Sequence, residues 1–223
     1  MDLRRNSSRT SWGSTRIVLV TLLAVTAAVF VVEHPVGAGT ARSDTSASQR
    51  GFALIWDAGY NGPQIDQSLA EMPKVGANWV QFTPSWGQQA TNSSVIASTG
   101  RTMPDANLER AITLAHQRGL KVQLTPHLEL PVPELQSRSE IRPDDRAAWF
   151  ASYTAFIGHY ADLARRLQVD QFAVGSELAS ISDDRPGWLS VIKDVRSRYN
   201  GPILYAAEPG EYARVPFWDA VDL

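Results

Sequence analysis

From Gly51 onward, short apolar runs alternate with segments of helical period. The runs are GFALIW (51–56), NWVQF (78–82), LKVQLTPHL (120–128), QFAVGSEL (171–178) and PILYAA (202–207). Between them lie IDQSLAEMPKVG (65–76), PDANLERAITLAHQRG (104–119), DDRAAWFASYTAFIGHYADLARRL (144–167) and RPGWLSVIKDVRSRYNG (185–201). The second of these has Pro at its start, acidic residues in its first turns, Leu108, Ala111, Ile112 and Ala115 on one face, and Gly119 as its stop. Strand–helix alternation predicts an α/β fold with parallel strands joined by right-handed crossovers. FWDAVDL (217–223) predicts the start of a sixth strand.

An open doubly wound sheet and a (β/α)8 barrel both fit this alternation. No GxGxxG and no GxxxxGK[ST] follows a strand, which argues against a nucleotide site. Unusual groups gather instead at successive strand ends: Trp56-Asp57, Thr83 to Trp86, His127 with Glu129, Ser176-Glu177, and Glu208. Barrel enzymes carry their chemistry on that rim, so the barrel is the expected architecture.

The chain has no cysteine, which excludes disulfides, thiolate metal sites and a cysteine nucleophile. Its net charge of −2 gives no reason to expect a nucleic-acid partner. His127-x-Glu129 is a two-ligand fragment, so neither a metal nor another cofactor is expected. AVGSEL lacks the second glycine of a nucleophile elbow, which argues against an esterase.

The first forty residues differ in kind. Arg4, Arg5, Arg9 and Arg16 precede an apolar run from Ile17 to Val32, and the small residues at 36–38 suit a cleavage site. That layout predicts export, with residues 1–38 either a signal peptide or an uncleaved membrane anchor, the only membrane association expected. Residues 39–50 read as a linker, and the folded domain is expected over 51–223.

QFAVGSEL poses a specific question, because an apolar strand ends in a carboxylate. Either Glu177 simply reaches solvent or it is a positioned acid. Trp56 and Trp86, at the ends of the first two strands, would offer flat apolar faces with an N–H donor, a surface that suits sugar rings or core packing.

GANWVQFTPSWGQ, TMPDANLERAITLAHQRGLKVQLTPHLEL, WFASYTAFIGHYADLARRL, QFAVGSEL and FWDAVDL occur in this order and spacing. Together they resemble glycoside hydrolase family 113, whose best-known members are endo-β-1,4-mannanases built on a (β/α)8 barrel. The resemblance runs from Gly51 to Leu223. It implies a retaining glycosidase acting on a β-linked polysaccharide or oligosaccharide of mannan type, with Glu177 as acid/base at the end of strand 4. Trp56, Trp86, His127, Ser176 and Glu208 are the sugar contacts it suggests. Ser176 stands where much of the wider clan has Asn, and Glu208-Pro209 where an Asn-Trp-like segment is expected. The family supplies its nucleophile from strand 7. The expectation is therefore a barrel of about five βα units without that carboxylate, unless Glu208 has taken its place. The alternative is a non-catalytic carbohydrate-binding or scaffold domain.

Overall fold

Five parallel strands lie side by side in the order in which the chain makes them. The computed structural model describes residues 48–55, 62–131 and 137–223. The expected export segment, most of the linker, and Trp56 with Asp57 lie outside the described residues. The strands are β1 (Gly51–Ile55), β2 (Trp79–Thr83), β5 (Lys121–Leu124), β7 (Gln171–Ser176) and β8 (Ile203–Ala206), paired in that sequence. The helices that connect them are α1 (Gly62–Glu71), α2 (Asp105–Gln117), α3 (Arg146–Arg166) and α4 (Arg185–Arg198). A doubly wound sheet reverses its strand order at a switch point. Here the order runs without reversal, which is the winding a barrel requires.

The core lies between this sheet and its helices. Val80 and Phe82 of β2, and Val122 and Leu124 of β5, are buried, while the alternate residues Gln81 and Gln123 are only half-buried. Period-two alternation thus assigns the apolar face to the helices. The segment 144–167 carries Phe150, Tyr153, Ile157, Tyr160, Ala161 and Ala164 at helical spacing, and this face of α3 supplies much of the core: all six are buried, as are Trp149 and Phe156. Local chemistry fixes the helix ends. Asp145 caps α3 by accepting from Ala148 N at 2.9 Å, and Asp184 caps α4 by accepting from Gly187 N at 3.0 Å. α1 passes into a 3-10 turn at Met72–Val75, where Pro73 lacks the N–H an α-helix needs, and Gly76 closes it at φ 81°.

Three features depart from the sequence reading. The run 120–128 is not one strand. Pro126 interrupts it, and His127–Glu129 (β6) joins Ser85–Gln88 (β3) and Ile96–Ala97 (β4) in a separate three-stranded sheet of order β4-β3-β6. Pro84 breaks the second strand in the same way, since proline cannot donate to a ladder. The expected sixth strand is instead a 3-10 turn, Trp218–Ala220, preceded by Phe217 stacked on Trp188 at 5.1 Å. Only at Asp222 does the backbone reach β8, donating to Ile203 O at 2.8 Å. Lastly, contacts with the domain begin at Ser48, ahead of Gly51: Asn78 Nδ2 donates to Ser48 O at 3.0 Å, and Arg50 N donates to Asn78 Oδ1 at 2.8 Å.

Among the described residues, no helix is long and apolar enough to cross a membrane.

Candidate active site

β7 is buried along its whole length and carries a bulge. Ala173 pairs with Leu204, but Gly175 and not Val174 pairs with Tyr205. The Val174 carbonyl accepts a hydrogen bond from Tyr153 Oη of α3 at 2.8 Å, so the irregular backbone keeps a partner. Gly175 is required there: an added Cβ would lie 2.6 Å from the Tyr205 ring and 2.8 Å from that of Trp188. The bulge resets the alternation. Ser176, 6% exposed, shares a face with Ala173 and Ala206, opposite Tyr205 and Trp188.

Glu177 follows at φ 56°, in the left-handed region that a non-glycine residue seldom occupies. Its N–H still donates to Ala206 O at 2.8 Å, so the ladder reaches it before the chain turns away. A conformation of this kind typically costs about 1–3 kcal/mol and persists where the surroundings over-determine it. Its carboxylate is 45% exposed and meets Arg138, with Nε 3.3 Å from Oε2.

Arg138 opens a 3-10 turn, Arg138–Glu140, built by a capping box. Ser137 Oγ accepts from Ser139 N at 3.3 Å, and Glu140 Oε2 accepts from Ser137 N at 3.2 Å. The turn is fastened to the loop after Glu177: Ser180 donates to Ser139 O from both Oγ, at 2.6 Å, and N, at 3.1 Å. The two charged side chains therefore belong to segments that are tied together.

His127 belongs to the same neighbourhood. It pairs in register with Ser85, and its N–H donates to Pro84 O at 2.8 Å. Burial, reinforced by the nearby Arg138 guanidinium, pushes its imidazole from 6.5 down to about 3. The ring is accordingly neutral at pH 7. Burial also raises Tyr153, which feels both Arg138 and Glu211.

Trp86 faces the other way. Its ring centroid lies 5.5 Å from Phe156 and 5.5 Å from His159, both on α3. It pairs with Leu128, so the alternation that gives Ser85 and His127 one face of the small sheet gives Trp86 the opposite one. Trp56 lies outside the described residues. The other histidines of the domain are paired away from the rim, His116 with Asp170 at 3.2 Å and His159 with Asp105 at 3.1 Å.

Glu208 stands half-buried just past β8, its N–H donating to Glu211 Oε2 at 3.0 Å. Glu211 is fully buried, and its other oxygen accepts from Tyr205 Oη at 2.5 Å. Tyr205 and Glu208 N thus satisfy a carboxylate that would be costly alone. Sequence reasoning missed Glu211 and Arg138. For Arg138 a signal was present in the Ser137-x-x-Glu140 spacing; for Glu211 there was none. Among the described residues no group of three or more His, Asp or Glu is placed to hold a metal ion.

The model of Glycoside Hydrolase Family 113 matches residues 52–223. Among solved structures, a GH113 β-1,4-mannanase described as a complex is similar at 28% identity, with a TM-score of 0.71, covering 77% of this chain and 59% of that one. A further GH113 β-1,4-mannanase structure gives 27% identity and a TM-score of 0.72, with the same coverages, 77% and 59%. The GH113 β-mannanase AaManA from Alicyclobacillus acidocaldarius, in complex with ManMIm, is 30% identical with a TM-score of 0.66, covering 72% of this chain and 53% of that one. The chain thus spans little more than half the length of these structures. No curated protein matches it.

Proposed function

The chain belongs to glycoside hydrolase family 113, and from that premise we propose that it acts on a β-linked, mannan-type polysaccharide by a retaining two-carboxylate mechanism on a (β/α)8 barrel rim. Glu177 is the acid/base. The observation that carries this reading is its left-handed backbone at the end of a fully buried strand, a strain that a merely solvated glutamate has no reason to bear. Glu177 protonates the departing glycosidic oxygen and then, as the carboxylate, activates the water that releases the sugar. A second carboxylate about 5–5.5 Å away forms the glycosyl intermediate between those steps.

General-acid work requires protonated Glu177, which forms no ion pair. An exposed pair is worth about 0.2–1 kcal/mol, so Arg138 releases Glu177 for the acid step at little cost and orients it as the carboxylate of the base step. Neutral His127 is suited to hydrogen bonding with a sugar hydroxyl. Ser176 and Glu208 are proposed as further contacts. Trp86 is better placed to brace the rim against α3 than to stack on a sugar, and Trp56 keeps its proposed role as a platform. Export through residues 1–38 rests on their basic and apolar layout.

The alternative, a non-catalytic carbohydrate-binding domain, draws on the same ion pair, since a retained binding rim has no need to free Glu177. Hydrolysis of β-mannan by a protein that carries the second carboxylate, with Glu177 intact and with Glu177→Gln, decides between them. The variant should lose about 10²–10⁴-fold in kcat, with a smaller loss on an aryl mannoside whose leaving group needs little protonation. Equal turnover by the two proteins would remove Glu177 from the chemistry.

A further inference from the structure

A pocket of about 380 Å³ opens between the loop after Glu177 and the turn after Glu208. Ser180 and Asp183 line it from the first, Arg214 from the second, and Arg142 and Arg146 from the segment that follows Arg138. Arg146 is already committed: its Nη2 lies 3.0 Å from Asp183 Oδ1 and 3.3 Å from Ser180 O, and its Nη1 lies 3.5 Å from Asp184 Oδ2. Arg142 and Arg214 make no side-chain hydrogen bond or ion pair with any described residue. Both are nonetheless held from the backbone. Arg142 N donates to Thr91 O at 2.8 Å, and Arg214 N donates to the carbonyl of the buried Glu211 at 2.8 Å. With Asp183 and Asp184 neutralised in part by Arg146, the pocket keeps an excess of positive charge.

A neutral mannan offers hydroxyl oxygens but no charge to two guanidinium groups that are unpaired among the described residues. A planar carboxylate supplies that charge, and the guanidinium fork matches its two oxygens. We propose that this pocket binds a sugar residue carrying a carboxylate, so that the glycan accepted beside Glu177 is acidic. The proposal rests on the reading of the chain as a glycan-acting protein. Ser180, which lines the pocket, lies three residues from Glu177 and donates to the carbonyl of Ser139, the neighbour of Arg138, so the pocket shares its wall with the loop and turn that carry the Arg138–Glu177 pair.

The test is calorimetric binding by the full chain carrying Glu177→Gln, so that nothing is hydrolysed. The probes are a neutral β-1,4-manno-oligosaccharide, an oligosaccharide of equal length with one uronic acid, free glucuronate, and sulfate. The uronic-acid oligosaccharide should bind about tenfold more tightly than the neutral one at low salt, the equivalent of two charge pairs, and the advantage should shrink as salt is added. Adding Arg142→Gln and Arg214→Gln should abolish the advantage and leave the neutral probe and the thermal melt unchanged. Equal binding of the two oligosaccharides, or an advantage that survives the arginine changes, overturns the proposal. Sulfate binding in the pocket as tightly as the acidic oligosaccharide also overturns it, since the site would then take any anion. An arginine-dependent preference in a protein that neither binds nor cleaves neutral mannan would uphold the pocket and sink the mannan reading instead.

Discussion

Arg138 Nε stands 3.3 Å from Glu177 Oε2, and Ser180, three residues beyond the glutamate, donates to the carbonyl of Ser139, the arginine's neighbour. The contact between the charges is loose and partly exposed; the backbone scaffold beneath them is tied. Arg138 therefore positions Glu177 more than it stabilises the fold. Arg138→Ala should lower mannan hydrolysis by about tenfold while changing stability by less than about 1 kcal/mol. Arg138→Lys should recover only part of the activity, because an ammonium cannot reproduce the Nε geometry. Steady-state kinetics alongside a denaturant melt measure both quantities. Unchanged kcat and KM in Arg138→Ala would strip the residue of this role.

On its proposed role, Glu177 is a position where function and stability pull in opposite directions. At φ 56° a glycine would be free of the strain. Glu177→Gly should thus melt no lower than the wild type, and up to about 1 kcal/mol more stably, even though it removes the whole side chain and its ion pair. Hydrolysis should vanish. A clear loss of stability in that variant would mean that the left-handed backbone is not strained.

The buried Tyr205–Glu211 pair makes a different prediction. Removing the phenol leaves Glu211 Oε1 buried without its donor, at a cost of about 1–3 kcal/mol. Tyr205→Phe should lower the melting temperature, and Glu211→Gln in the same chain should recover part of it. Because Glu211 also holds Glu208 N, Glu211→Ala should loosen the rim after β8, visible as faster amide exchange at Glu208. Additive effects of the two single changes would show the pair to be uncoupled.

Stability should fall at both ends of the pH scale, for opposite reasons. His127 is lowered to about 3 in the native state. The unfolded chain therefore takes up a proton near 6.5 that the native state refuses, and the stabilisation present above 6.5 is lost as the pH falls toward 3, at about 1.4 kcal/mol per unit. Tyr199 is raised to about 12, and Tyr153, Tyr160 and Tyr205 are also raised, burial being the leading cause for each. Their contribution is intact below pH 10 and is lost as the pH climbs past it. Melting temperature against pH should show a plateau between these limits. His127→Gln should flatten the acid side alone; an unaltered acid limb in that variant would assign the loss to other groups.

The alternation of strands and helices was legible because each is a local pattern. α3 could be read from its aromatic spacing, and α2 from its acidic start and glycine stop. Pro84 and Pro126 were visible too, yet their effect was not, since a missing donor matters only once the neighbouring strand is known. Trp86 failed to reveal its direction for a related reason: one residue of register in β3 decides whether an indole faces His127 or α3. Arg138 lies in a segment with no period of its own, and its meeting with Glu177 joins residues from different crossovers. Glu211 looks like any surface acid in the sequence, and the phenol of Tyr205 together with Glu208 N explains its burial.

The extra residue in β7 gives the strand a parity. Up to Ala173 the side chains count odd and even against β8 in one sense; from Gly175 onward they count in the other. Were Val174 instead to take a regular place in the ladder, Ser176 would turn toward Trp188 and α4, and the rim that follows it would be presented to the outside of the sheet. The chemistry proposed for Glu177 therefore depends on how β7 pairs as much as on a residue. A chain could keep every side chain named above and still lose its site if the six residues of β7 paired with β8 without the bulge.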